Sequence, residues 1–280
     1  MKRHFLFSST ELMMGLTIML VLPVSCNKEN EPDDEIPLTL VSCMDDPVTR
    51  ATVSNTWNGG EQVQVSINNG AALSFTAKQN GDLLPVNPIN WPSAPSSISA
   101  RAWHPVSWIF PVDQSKGLQP ADFIFAPTVT GIMASNYKEK KLVFYHRTAK
   151  VTVKLMAGTD IKSVSGATVA LYGYVAGIPN TTDAGNGVIA GSGGDWITPQ
   201  NTGSDTYTAL MIPRNMTGTK FVRITLGGNV YYYTPTADQA VLQQGVAYAY
   251  NITVSLTRID VVVESGIKWT EGSEYDITSV

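Results

Sequence analysis

Residues 142–155, LVFYHRTAKVTVKL, constrain the fold more than any other stretch of the chain. They are dense in β-branched and aromatic side chains with polar residues set between them, a pattern that predicts one long strand or two collinear ones. Short strands precede this stretch and others follow it, so it reads as the seam between two all-β halves. No segment sustains helical periodicity over three capped turns, apart from a single turn near residues 235–242. A chain of 280 residues suits two cores better than one, because domains usually hold roughly 100–150 residues.

The segments on either side repeat one style. The apolar positions Val63, Val65 and Ile67 alternate with Gln62, Gln64 and Ser66, and the Asn69-Gly70 pair that follows is a hairpin signal. Residues 83–97 are punctuated by proline and read as a loop with edge strands, since proline cannot donate to a central ladder. Residues 100–111 and 122–127 restore strand character. Further strands are expected at 168–176, 206–213, 220–226, 229–234 and 245–256, with a glycine-rich hairpin tip at 185–195 and a tight Gly227-Gly228 turn. Short strands at regular spacing predict stacked β-sandwiches.

The first 25 residues read as a signal peptide. Lys2 and Arg3 supply a positive start, and the apolar run at 12–24 is too short to span a bilayer. It ends in Leu22-Pro-Val-Ser-Cys26, which resembles the bacterial lipobox, with Pro23 where that motif prefers leucine. On that reading Cys26 receives acyl chains and anchors the protein to a membrane. The alternative is ordinary signal cleavage, which leaves Cys26 to pair with Cys43 in an oxidising compartment. Residues 26–35 form an acidic, proline-containing tether. The tether resembles the signal that sends lipoproteins of certain double-membraned anaerobes to the outer face of the outer membrane; otherwise it is a spacer. The folded part begins at Ile36 with a short strand in which Leu38, Leu40, Ser42 and Met44 share a face. A polar loop then ends on Arg50, where a protease could free the strand, unless Arg50 is simply a loop arginine.

Composition and spacing exclude several function classes. The formal charge is −4 with no basic stripe, whereas a nucleic-acid partner needs clustered cations to displace phosphate counterions; the Lys138–Lys141 knot reads as a solvated hairpin tip. Once His4 leaves with the signal, His104 and His146 are two isolated imidazoles, too few for a metal site. His146 reads as a hydrogen-bonder at the seam. The glycines at 185, 187 and 191 imitate a nucleotide loop, but no helix follows to meet a phosphate. No catalytic residue, metal site or cofactor is expected.

Taken in order, Thr49-Arg50, Trp57 with Gly60-Glu61, Asp122-Phe123 before Ala126, Phe144 through Val151, Ile212-Pro213, and Gly245 with Tyr248 and Tyr250 resemble the fimbrillin family, the lipoprotein-precursor subunits of type V pili. The resemblance covers roughly residues 36–270. It implies two transthyretin-like β-sandwich domains in tandem, at 36–141 and 142–280, the second carrying a donor-strand tail. It also implies an outer-membrane lipoprotein on the cell surface whose first strand is removed by an arginine-specific protease between Arg50 and Ala51. A strand from another pilin subunit then fills the gap. Val261, Val263, Ile267 and Trp269 are the expected plugs of that donor strand, the alternative being that this segment is the last strand of its own domain. The resemblance leaves stalk, tip and anchor roles open. A different function also fits the sequence, a surface lipoprotein that binds glycan or a host ligand through Trp91, Trp103, Trp108 or Trp196 without polymerising.

Overall fold

The computed structural model describes residues 35–45, 57–93, 96–236, 239 and 241–268. Its first strands are β1 (Leu40–Met44), β2 (Gln62–Ile67), β3 (Ala72–Ala77), β4 (Asp82–Pro85), β5 (Ile98–His104), β6 (Ile124–Ile132) and β7 (Leu142–His146). Hydrogen bonds link them in a closed ring in the order β1-β4-β3-β2-β5-β6-β7. Alternation explains the inward faces: Val63 and Val65 are fully buried, while Gln62 and Gln64 between them donate across the outer face to Thr76 and Ser74. The enclosed cluster includes Val63, Val65, Phe75, Leu83, Leu142 and Phe144.

The strands that follow are β8 (Ala149–Ala157), β9 (Thr168–Gly173), β10 (Ala176–Pro179), β11 (Ile189–Ser192), β12 (Asp195–Ile197), β13 (Gln200–Gly203) and β14 (Thr206–Met211). Then come β15 (Arg214–Asn215), β16 (Val222–Leu226), β17 (Asn229–Tyr233), β18 (Val241–Leu242), β19 (Val246–Val254) and β20 (Ile259–Lys268). A five-stranded sheet runs β13-β14-β8-β19-β20 and a four-stranded sheet β12-β9-β16-β17; β10 pairs with β11, and β15 with β18. Both larger sheets bury side chains in one second cluster, among them Val151, Val153 and Tyr250 from the first and Leu171 and Ile224 from the other.

The seam is two strands. Leu142 and Phe144 of β7 belong to the first cluster and Ala149, Val151, Val153 and Leu155 of β8 to the second. The break falls at Arg147 and Thr148, both buried. His146 Nδ1 meets the Asp122 carboxylate at 2.9 Å, and Thr148 Oγ1 donates to the same carboxylate at 3.4 Å, which pins the chain where it passes from one cluster to the other. The Arg147 guanidinium lies 5.5 Å from the Phe125 ring centroid and 5.7 Å from that of Tyr145. Burial depresses its pKa, with Tyr145 opposing that in part.

The clusters do not follow chain order strictly. Phe110, Leu118, Phe123 and Phe125 precede the seam and yet pack in the second cluster. Gln114 in this excursion imitates a strand neighbour: its amide donates to Leu210 O and accepts from Leu210 N, both at 2.8 Å. In the opposite direction, the loop between β10 and β11 reaches back to the ring. Arg101 of β5 donates to Thr181 O at 2.9 Å, Thr128 of β6 to Asp183, and Arg147 to Asn186 at 3.2 Å. Gly187 has φ +73°, and a Cβ there would stand 2.5 Å from Phe125 Cβ, so the clasp closes only over a glycine.

Several local expectations shift. The β2–β3 turn is centred on Asn68 and Asn69, with φ of 51° and 58°, one residue earlier than the Asn69-Gly70 signal. Asparagine tolerates the left-handed region, and this register keeps Val63 and Val65 facing inward. Within 83–97, β4 is a full partner of β3, because Pro85 falls on its last position. The strand expected over 100–111 stops at His104, before Pro105, and Trp108 and Phe110 lie in the excursion. Within the glycine-rich 185–195, β11 pairs with β10.

Candidate functional site

The first strand occupies a slot. β1 pairs antiparallel with β4, Leu40 opposite Leu83, and parallel with β7, where Ser42, Cys43 and Met44 face Leu142, Val143 and Phe144. It is therefore the strand that completes the ring between β4 and β7. Backbone bonds extend the slot to both ends: Leu38 N donates to Ile89 O, Trp91 N to Ile36 O, Ser42 N to Gly81 O and Asp45 N to Phe144 O, each at 2.8 Å.

The side chains follow the expected alternation. Leu38, Leu40 and Ser42 are buried, and Met44 packs half-buried against the same cluster. Burying Leu38 and Leu40 alone contributes on the order of 3–6 kcal/mol at about 1.5–3 kcal/mol per side chain. Ser42 is the polar exception, and it is satisfied: its hydroxyl donates to Gly81 O at 2.8 Å and accepts from Trp57 Nε1 at 2.9 Å. The Trp57 ring meets Phe144 edge-on at 5.3 Å and His104 at 5.6 Å. Trp57 thus walls the slot from the side and reads the one hydroxyl of the inserted strand.

Gly81 sets how closely β1 approaches. Its φ is +89°, and a Cβ would fall 2.4 Å from Ser42 O. On the other face of β1, Cys43 carries a free, half-buried thiol. Burial raises its pKa, the nearby Lys141 ammonium opposes the rise, and Asp45 adds to it. Glu61, four residues after Trp57, caps the turn beneath it: its carboxylate accepts from Asn58 N at 2.7 Å and Gly59 N at 2.8 Å.

The expected donor segment lies elsewhere. Val261 and Val263 sit on β20, half-buried and packed against the second cluster. β20 pairs antiparallel with β19 on one side and ends the five-stranded sheet, and Ile267 stands opposite Ala247 in that ladder. Cys26, Arg50, Ala51 and Trp269 lie outside the described residues.

The remaining candidates have structural partners. His104 Nδ1 lies 2.7 Å from Gln62 O, His146 is held by Asp122, and among the described residues no group of three or more His, Cys, Asp or Glu is placed to hold a metal ion. Among the described residues, no helix is long and apolar enough to cross a membrane. Sequence reasoning missed β4, Gly81 and Ile89 as the walls of the slot. The Asn80-Gly81 pair was the available signal, a turn dipeptide directly ahead of an apolar pair.

Solved structures share this architecture. A candidate cell adhesion protein from Bacteroides uniformis superposes with a TM-score of 0.67 at 20% identity, covering 85% of this chain and 99% of its own. A second, from Bacteroides ovatus, gives 0.63 at 18% over 85% and 99%. The C-terminally truncated tip fimbrial protein Mfa3 from Porphyromonas gingivalis gives 0.50 at 12% over 84% and 100%. At these identities the likeness is one of fold. No curated protein matches the sequence. The fimbrillin-like family, however, matches residues 49–269, every strand from β2 to β20, and the chain belongs to that family.

Proposed function

We propose that the chain is a structural subunit of a type V cell-surface pilus, in a stalk, tip or anchor position, and that it serves adhesion. It is exported as a lipoprotein acylated on Cys26, held at the outer membrane, and matured by an arginine-specific protease that cuts between Arg50 and Ala51. Its two halves act as tandem sandwich domains. One observation carries this reading: β1 alone joins β4 to β7 among the described strands, so its loss uncovers two unpaired strand edges and an apolar slot. Such edges are templates for another strand.

The incoming strand is the C-terminal segment of another subunit, with Val261 and Val263, and beyond the register shift in β20 Ile267 and Trp269, as its plugs. As an edge strand, β20 leaves its own sheet by breaking one ladder, whereas β1 is held by two. The test is the N-terminus and intact mass of the protein taken from the native cell surface. A chain beginning at Ala51 within an oligomer supports maturation by cleavage, and acylated Cys26 at the N-terminus leaves an anchor, an uncut tip or a free surface binder. An unmodified start elsewhere overturns the lipoprotein reading.

A further inference from the structure

The outer face of the four-stranded sheet carries a row of rings and cations that pilus assembly leaves unused. Tyr172 meets Trp196 edge-on at 5.4 Å between centroids, and Trp196 meets Tyr232 at 6.1 Å. The Arg223 guanidinium lies 4.5 Å above Trp196, Lys220 Nζ 4.4 Å above Tyr232, and Arg214 4.5 Å above Tyr174 and 5.8 Å above Tyr172. The strand register explains the row: Trp196 stands opposite Tyr172, and Arg223 opposite Tyr232, on the opposite strand parity to Leu171, Val222 and Ile224, with Tyr172 half-buried against the rim of the second cluster. Tyr232 is 41% exposed.

Charge on this face is one-sided. β9, β16 and β17 contain no Asp or Glu. Asp195 on β12 falls on the opposite strand parity to Trp196, and its carboxylate accepts from the Trp196 amide at 2.7 Å. Among the described residues, none of the ion pairs involves Arg214, Lys220 or Arg223. Three cations without carboxylate partners among the described residues, on a chain of formal charge −4, are complementary to an anion. Stacking on a ring occupies the flat face of a guanidinium and leaves its N–H edge free to take a carboxylate or sulfate in bidentate fashion.

The geometry points to this face as a binding site for an acidic polysaccharide, one whose sugars carry carboxylate or sulfate groups. The cations take the charged substituents, and the ring faces of Trp196 and Tyr232 left open by the cations meet the sugar C–H surfaces. A peptide would seek a groove or a strand edge, which the open sheet face does not offer. A nucleic acid needs a basic groove that tracks its phosphate backbone, and three cations on one open face of a chain of formal charge −4 do not make one. Of the four tryptophans the sequence offered for glycan contact, Trp91 is buried and Trp103 and Trp108 pack on the second cluster, so Trp196 is the one that serves.

The test measures binding of heparin, polygalacturonate, neutral dextran and an oligothymidylate to the full chain at low salt, by calorimetry and by quenching of tryptophan emission. Heparin or polygalacturonate should bind at least tenfold more tightly than dextran or the oligonucleotide, and comparing the two acidic polymers separates sulfate from carboxylate recognition. The double variant Lys220→Gln/Arg223→Gln should lose at least tenfold in affinity with its melting temperature unchanged. Trp196→Phe, which keeps a ring, should lose less than Trp196→Ala. Lys140→Gln/Lys141→Gln, in the exposed basic knot, should stay within twofold of the parent. The proposal is overturned if neither acidic polymer binds, if dextran or the oligonucleotide binds as tightly, or if the Lys140/Lys141 variant loses as much as the Lys220/Arg223 variant.

Discussion

The two terminal strands of the described fold are held in opposite ways. β1 lies between two neighbours, antiparallel to β4 and parallel to β7, with Leu38 and Leu40 buried and Trp57 bonded to its serine. β20 has one neighbour, its Val261 and Val263 are half-buried, and Val262 is 65% exposed. The ring closed by β1 tolerates no vacancy, because losing the strand exposes two rows of backbone donors and acceptors together with an apolar slot. The sheet ended by β20 already has an edge there. The proposed exchange is suited by this asymmetry: a slot left by β1 would expose two strand edges, and β20, held by one ladder, is the strand that detaches at lower cost.

The largest expected effect comes from deleting residues 36–45. The first cluster should open, with dye binding and aggregation at neutral pH, and an added synthetic peptide of residues 36–45 should restore monomeric, protected protein. Gly81→Val comes next. The left-handed backbone costs about 1–3 kcal/mol, and the clash with the Ser42 carbonyl adds to it, so denaturant titration should show β1 loosened while the second cluster stays intact. Leu40→Ala should lose about 2–5 kcal/mol of stability. Val263→Ala on β20 should lose about 1 kcal/mol, and Val262→Thr should stay within about 0.5 kcal/mol. A Val263 effect as large as that of Leu40 would erase the asymmetry.

Alkaline pH sharpens the contrast from another side. Tyr250, Tyr248, Tyr233 and Tyr207 lie in the second cluster, and burial raises the phenol pKa of each. For Tyr250 the rise is large, with burial foremost and the neighbouring Tyr233 and Tyr248 adding to it. The folded state keeps these phenols neutral, whereas the unfolded chain ionises them from about pH 10. Their contribution to stability is complete below that pH and is lost as the pH rises above it. The second cluster should therefore loosen in alkali before the first, as followed by tyrosinate absorbance and circular dichroism. Tyr250→Phe should flatten that loss while costing about 1 kcal/mol at neutral pH, since the Tyr250 hydroxyl donates to Gln239 O at 2.8 Å.

What could be read beforehand was what depends on local alternation. The inward faces of β1, β2 and β8 and the turn at Gly227 and Gly228 follow from two-residue periodicity and glycine. What could not be read depends on partners distant in the chain. β4 was hidden by prolines whose penalty vanishes at a strand end, and Gly81 looks like any turn glycine until Ser42 arrives against it. The glycines at 185–191 read as a flexible tip because nothing in their own sequence announces Phe125 and Arg147, the groups that make Gly187 obligatory in the clasp. Trp108 and Phe110 carried the right hydrophobicity but pointed to the wrong core. The row of cations was equally invisible, since Arg223 meets Trp196, Lys220 meets Tyr232, and Arg214 meets Tyr172 and Tyr174 only when strands distant in the chain pair.

The most direct measurement is native mass spectrometry of the purified chain before and after cutting with an arginine-specific protease. If β1 is a displaceable strand, cleavage after Arg50 releases the fragment that contains residues 36–50, and the remaining bodies assemble into oligomers that resist mild denaturant. If instead the fragment stays bound and the cut chain remains a monomer, the slot is not a joint, and the account of β1 as the exchanged strand is wrong.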